Sequence, residues 1–148
     1  MARDSTLAVQ EAVLAFLGEQ ATVVALVPSD RHYPPQRPAN PLRPWLGYGV
    51  SDTAPFLASC LDGSEISVRV HNYTETTGEG DETIPGEDMA HAINRVVAGA
   101  LDGATLELEG LDYPATAHIE WTGSQVLQDG ADADAFHGIV SLTITVSS

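Results

Sequence analysis

The amino-acid sequence predicts an α+β fold, in which a mostly antiparallel sheet of about five strands carries two main helices on one face. Apolar residues recur at helical spacing in two long segments and a short one, and they alternate with polar residues in five others. These segments follow in the order ααββαβββ, with strands in runs rather than alternating with helices. The length, 148 residues, is typical of a single domain, so we expect residues 1–148 to form one.

The helices are predicted from their apolar spacing and their end residues. The first occupies residues 4–20, where Asp4 or Ser5 can cap the amino terminus and Gly18 can end the helix. A short helical turn follows and ends at Pro28. The second main helix is predicted in residues 85–101, with Glu87 and Asp88 in its first turn, where the helix dipole favours negative charge.

Five segments show the alternation of half-buried strands. They are residues 43–52, 64–73, 104–110, 115–127 and 137–146. Gly47 and Gly49 weaken the prediction for the first of them, since glycine is depleted in strand interiors. Between the first helices and these strands, residues 29–44 are rich in proline, which fixes φ and removes a hydrogen-bond donor. We expect this proline-rich segment to be an extended surface connection.

The charge of the chain is strongly negative and unevenly distributed. Six arginines and no lysine oppose 21 acidic residues, which gives a net charge of −15. Such a surface repels phosphate backbones and argues against a sequence-reading nucleic-acid binder, although not against a protein that lets nucleic acid pass. The proline-rich segment carries Arg31, Arg37 and Arg43. The loop predicted at residues 74–85, which we call the acidic loop, carries four acidic residues and no basic one.

The stretch from His71 to His91 is a candidate metal site because it combines two histidines with six carboxylates. Oxygen-rich loops suit calcium, and histidine with carboxylates suits zinc or iron. The stretch lacks the ligand spacing of an EF-hand loop and the H-E-x-x-H pairing of zinc proteases. A run of carboxylates is more often a solvated surface, and we predict no metal and no cofactor.

Other candidate chemistry is equally sparse. A carboxylate pair for acid–base catalysis needs a rigid pocket, which a loop of Thr, Gly and Glu does not supply. The single cysteine, Cys60, is interpreted as a small hydrophobic residue. His118 and His137 are interpreted as surface or edge histidines, and Trp45 and Trp121 as core or interface anchors. The sequence therefore predicts no enzyme, and no apolar run is long enough for a membrane span.

The basic proline-rich segment and the acidic loop form two complementary patches on one chain. Complementary patches that differ from each other favour head-to-tail contacts, which close into rings when the rotation allows. The candidate residues of such an interface are Arg31, Arg37, Arg43, Trp45, Glu75, Glu79, Asp81 and Glu82.

Five features of the sequence occur in a recognisable order. They are the first helix, Arg31-His32-Tyr33 followed by proline, Arg43-Pro44-Trp45-Leu46-Gly47, a helix at 89–101 and the closing strand "FHGIVSLTITV". This order resembles the phage tail-completion, or tail-terminator, family over nearly the whole chain. The chain departs from the family in a longer and more acidic loop at 74–85. It also has Val70-His71-Asn72-Tyr73 where the family shows an aromatic strand end.

The resemblance implies a structural virion protein of a phage, prophage or gene transfer agent. Such a protein forms a ring, commonly a hexamer, that caps the head-proximal end of the tail tube and joins tail to head. Its implied partners are copies of itself, the major tail tube protein and a head-completion or connector protein, and DNA passes through the ring without specific binding. Two alternatives stay open: another neck component, such as a head-closure protein, or a small metal-binding module or metal-dependent enzyme that uses residues 71–91.

Overall fold

The computed structural model describes residues 4–58, 61–78, 82–131 and 133–147. The helices are α1 (Thr6–Gly18), α2 (Ala21–Val24) and α3 (Gly86–Leu101), with a 3-10 turn at Ser29–Arg31. The strands are β1 (His32–Tyr33), β2 (Trp45–Ala58), β3 (Leu61–Glu75), β4 (Thr105–Glu107), β5 (Thr116–Gln128) and β6 (Ala135–Ser147). Within these residues, no helix is long and apolar enough to cross a membrane.

The strands form one sheet in the order β1-β2-β3-β6-β5-β4. Only the pair β1–β2 is parallel in the described sheet, so the prediction of a mostly antiparallel α+β fold is confirmed. The expected count of about five strands in the order ααββαβββ is corrected to six, because His32 and Tyr33 pair with Leu46 and Gly47. This added strand lies at the sheet edge, where the prolines that follow it remove no ladder hydrogen bond.

One face of the sheet is covered by helices and holds the core. Ile66, Val68 and Val70 of β3 are buried on this face, next to their partners in β6. The apolar stripes of α1 and α3 pack on them, with Val9, Val13, Leu17, Ile93, Val97 and Leu101 fully or almost fully buried. Each such side chain stabilises the fold by about 1.5–3 kcal/mol relative to an exposed one. The expectation of two main helices on one face agrees with this packing.

Polar contacts with neighbouring residues fix the amino-terminal ends of both main helices. At α1 the N-cap residue is Ser5, whose side chain makes no capping hydrogen bond. Asp4, one residue earlier, accepts hydrogen bonds from the Thr6 N–H, at 2.9 Å, and from the Thr6 hydroxyl. At α3 the Thr74 hydroxyl donates to the Gly86 carbonyl at 2.7 Å, and the Gly86 N–H donates to Thr76 Oγ1 at 3.0 Å. A side chain at Gly86 would lie 2.8 Å from the Asp134 carbonyl oxygen, so only glycine fits there.

The acidic loop is more ordered at its two ends than its composition predicts. Strand β3 continues through Glu75, and Thr77 and Ile84 then form a β-bridge with hydrogen bonds of 3.0 and 2.8 Å. The predicted interface residues Glu79 and Asp81 lie outside the described residues. The loop therefore begins and ends on fixed backbone, next to the start of α3.

A buried amide pair joins α3 to the centre of the sheet. Asn72 Nδ2 donates to Asn94 Oδ1 at 2.7 Å, and Asn94 Nδ2 donates to the Gln125 carbonyl at 3.1 Å. Both side chains are almost fully buried. They fit because their neighbour in β6 is Gly138: a β-carbon there would contact the Asn72 amide and lie 2.7 Å from Asn94 Oδ1. Strands β3, β5 and β6 thus meet α3 at a single polar junction.

Replacing Gly138 by alanine should destabilise the fold by about 1–3 kcal/mol, because the added methyl group overpacks the junction. The matched control is Gly123→Ala in β5, where an added β-carbon meets nothing within 4 Å. Chemical denaturation of both variants measures the difference. A Gly138→Ala variant as stable as Gly123→Ala would contradict this description of the junction.

Candidate functional site

An aromatic cluster lies on the face of the sheet opposite the helices. Because side chains alternate along β3, His71 and Tyr73 point away from α3 when Asn72 and Thr74 point towards it. Cross-strand register places Trp45 and His137 on either side of Tyr73. The Tyr73 ring stacks on Trp45 at 4.1 Å and on His137 at 4.2 Å, and the His137 ring lies 4.9 Å from His71. Trp45, Tyr73, His137 and His71 form the aromatic cluster.

The two glycines that weakened the strand prediction make room for this cluster. A β-carbon at Gly47 would lie 3.0 Å from Trp45 Cζ3, and one at Gly49 would lie 3.4 Å from His71 Nε2. The two rings therefore lie against bare backbone, and they cover strand residues that have no side chain of their own.

The two histidines form a half-buried hydrogen-bonded pair. His71 Nδ1 lies 2.7 Å from His137 Nε2, a contact in which one ring donates and the other must be neutral to accept. Burial, followed by the charges of His137, Arg69 and Arg37, lowers the pKa of His71 to about 4. Burial also lowers the pKa of His137, against the opposing effect of Asp129. The interpretation of His137 as a surface or edge residue is wrong, because β6 is an inner strand and its register with β3 brings the two rings together.

The proline-rich segment is held against this cluster by its arginines. Arg37 lies over the Trp45 ring, 5.0 Å from the centroid, in a cation–π contact. Arg43 forms an ion pair with Asp129 at 2.8 Å, and Arg31 Nη1 donates to the Arg43 carbonyl at 3.4 Å. Trp45 is only 5% exposed beneath them.

An open cavity of about 880 Å³ lies between the proline-rich segment and the sheet. Its walls combine proline rings with charged and aromatic side chains, among them Arg37, Arg43, Trp45, Tyr73, Glu75 and Asp129. The lining therefore combines an aromatic floor with side chains of both charges.

The structure brings five of the six described interface candidates into one region. Arg31, Arg37, Arg43, Trp45 and Glu75 lie at or next to the cavity. Glu82 is exposed beside the start of α3, on the far side of the bridge. Sequence reasoning missed Asp129, which lies 86 residues from its partner Arg43 and follows β5 with no local motif to mark it. Whether these residues mediate assembly stays a prediction.

The histidines of the candidate metal stretch do not converge. His71 lies on the open sheet face beside His137, whereas His91 is exposed on α3, 3.9 Å from Glu87. Across the described ranges, no three His, Cys, Asp or Glu side chains are placed to share a metal ion. Of the remaining candidates, His118 is exposed and contacts Thr105 Oγ1 at 2.7 Å, and Trp121 is 46% exposed at the surface.

The free energy of unfolding should fall as the pH drops from 6.5 towards 4. In this range the unfolded chain binds a proton at His71 that the folded chain excludes, so folding is favoured at the higher pH and weakened at the lower. A His71→Gln variant should show a smaller decline, and His118→Gln, at an exposed histidine outside this pair, is the matched control. Urea denaturation at several pH values measures the three profiles, and identical profiles would contradict the buried-pair assignment.

Comparison with known proteins identifies relatives of the chain. The sequence matches the family model of tail completion protein gp17 over residues 11–147. The fold is similar to that of a chain in the virion of a native gene transfer agent (GTA) particle, with a TM-score of 0.77 and 20% sequence identity. The alignment covers 99% of this chain and 100% of that chain. A search of curated proteins finds no match.

Proposed function

The chain belongs to the family of tail completion protein gp17, and from this premise we propose that it is a tail terminator. In this proposal several copies, six in the expected form, assemble into a ring on the head-proximal end of a tail tube. The ring stops growth of the tube and joins it to the head, and DNA passes through its centre. The family match over residues 11–147 is the observation that carries the proposal.

The similar fold in the gene transfer agent virion supports a structural role. The alignment covers 99% of this chain and 100% of a chain that is part of a particle, so the likeness extends to the overall fold. The aromatic cluster fits this role as well, because its four rings stack on one another. They build a rigid platform, and the proposed activity is assembly rather than catalysis.

The charge of the chain supports the passage of DNA without binding. A net charge of −15 per subunit is multiplied in a ring, and the summed negative potential repels the phosphate backbone at short range. A lumen with this potential does not retain the genome during transit. Three of the six arginines, Arg31, Arg37 and Arg43, make contacts within their own chain.

The proline-rich segment and its cavity supply a surface for the other proposed partners, the major tail tube protein and a head-completion or connector protein. The backbone of the segment is stiffened by proline, so it loses little conformational freedom when a partner binds. Arg37, Arg43, Trp45 and Glu75, all predicted from the sequence as interface residues, line this cavity. In this proposal Arg37 and Glu75 meet the partner, whereas Arg43, paired with Asp129, and Trp45, 5% exposed, hold the segment in place.

Purified protein should form rings, or a concentration-dependent equilibrium between rings and smaller species. Light scattering combined with negative-stain imaging measures this, and a strict monomer that also fails to bind tail tubes would contradict the proposal. Reversing the charge in Arg37→Glu or Arg43→Glu should weaken assembly, more so at low salt, because screening is then weaker.

The ion pair between Arg43 and Asp129 offers a matched control for that experiment. The double variant Arg43→Glu/Asp129→Arg restores the pair with opposite orientation. We expect it to recover assembly, because it again holds the proline-rich segment on its own sheet. No recovery would mean that Arg43 acts on a partner directly, and unaffected single variants would remove this segment from the interface.

A further inference from the structure

A second surface lies on the other side of the sheet, in a groove between α3 and β5. The groove has a volume of about 500 Å³ and is lined by His91, Asn94, Arg95, Ala98, Gly99, Asp102, Trp121, Ser124 and Gln125. Its floor is low because Ala98 and Gly99 are small, and a β-carbon added at Gly99 would meet nothing within 4 Å. The groove is therefore open to an incoming side chain. We call it the α3–β5 groove.

Trp121 is held over this groove in a fixed orientation. The register of β5 against β6 shifts between Trp121 and Gly123, and such a bulge re-aims the side chains beside it. The Trp121 N–H donates to Asp102 Oδ1 at 3.0 Å, and the indole N–H donates to Ser124 Oγ, also at 3.0 Å. All its donors are satisfied, yet the side chain stays 46% exposed. An ordered, half-exposed indole ring is typical of an interface anchor.

Arg95 places a guanidinium in the groove, which Asp102 also lines. No ion pair or hydrogen bond of its guanidinium is found within residues 4–58, 61–78, 82–131 and 133–147. This contrasts with Arg43, which pairs with Asp129. In a chain with a net charge of −15, a cation beside an exposed tryptophan favours a partner that presents carboxylates around an apolar side chain.

The chain itself carries such a segment at the end of the acidic loop. Ile84 is 46% exposed, and its backbone is fixed by the two hydrogen bonds to Thr77. Glu82 and Glu87, close to it in sequence, are exposed as well. Ile84 is therefore an apolar side chain presented on ordered backbone among carboxylates, which complements Trp121 and Arg95.

We propose that the α3–β5 groove of one subunit receives the Ile84 segment of a second copy of this chain. Ile84 packs on Trp121 above the floor formed by Ala98 and Gly99, and Glu82 pairs with Arg95. The inference rests on the homo-oligomer of the proposed function and assigns one of its contacts. The contact arises only between copies, because Gly86 and Gly99 are 13 residues apart on α3, about 20 Å at 1.5 Å per residue.

Disulfide trapping between two different variants tests this contact. One chain carries Ile84→Cys and the other Gly99→Cys, each with Cys60→Ser and with tags of different mass. Mild oxidation of the mixture should give the mixed dimer on a non-reducing gel. Replacing Ile84→Cys by Leu7→Cys, at a residue that is 64% exposed on α1, should abolish it. Absence of the mixed dimer in a mixture that light scattering shows to be oligomeric would overturn the proposal.

The two hypotheses fail in different ways. Rings or tube-bound protein without the Ile84–Gly99 cross-link would overturn this contact and leave the tail-terminator proposal standing. A chain that never self-associates would overturn this contact too, and binding of that monomer to tail tubes would then decide the proposed function separately.

A charge exchange tests the ionic half of the contact independently. Arg95→Glu should weaken self-association by about threefold to tenfold, because it replaces an exposed attraction with a repulsion between like charges. Arg95→Glu/Glu82→Arg should restore it. The matched control, Arg95→Glu/Glu19→Arg, places the same charge at an exposed residue after α1 and should not restore it. Circular dichroism confirms that each variant is folded, which is expected because all three residues are exposed. Equal self-association of the Arg95→Glu variant and the unmodified protein would overturn the pairing.

Discussion

The hydrogen bond between Asn72 and Asn94 is the contact on which the arrangement of the molecule depends. It is buried, it requires a residue without a side chain at Gly138, and it fixes α3 over the centre of the sheet. A buried amide without its partner costs about 1–3 kcal/mol, so alternative positions of the helix are disfavoured. Asn94 also donates to the Gln125 carbonyl of β5. The same contact therefore fixes the position of α3 relative to β3, β5 and β6.

The alternation along the end of β3 places different side chains on the two faces of the sheet. Asn72 and Thr74 hold α3 on one side, and His71 and Tyr73 enter the aromatic cluster on the other. The position of α3 also fixes the end of the acidic loop, which leads into the helix at Gly86. It likewise fixes the α3–β5 groove, which α3 lines on one side. The proline-rich segment lies across the opposite face, so one chain presents distinct surfaces to front and back. Such heterologous surfaces are what a ring requires.

The sequence predicted the elements far better than the site. The segments predicted for β3, β5 and β6 lie close to the observed strands, because burial of one face imposes a period that is visible locally. The strand predicted at 104–110 is only Thr105–Glu107, and the one predicted at 43–52 continues to Ala58. The edge strand β1 was missed because two residues carry no period. The aromatic cluster and the pair of Arg43 with Asp129 depend on register between distant strands, which the periodicity of a single strand does not specify. The one local signal for the aromatic cluster was the alternation of His71 and Tyr73 with polar residues along β3.

The account predicts that this protein ends a tail tube, and growth of the tube in its presence measures that most directly. Major tail tube protein is polymerised with and without the purified chain, and tube length and tube ends are recorded by negative-stain imaging. The account predicts shorter tubes with a distinct cap at one end, at a ratio of a few subunits per tube. Tubes of unchanged length with bare ends, at a chain concentration where rings are present, would contradict it.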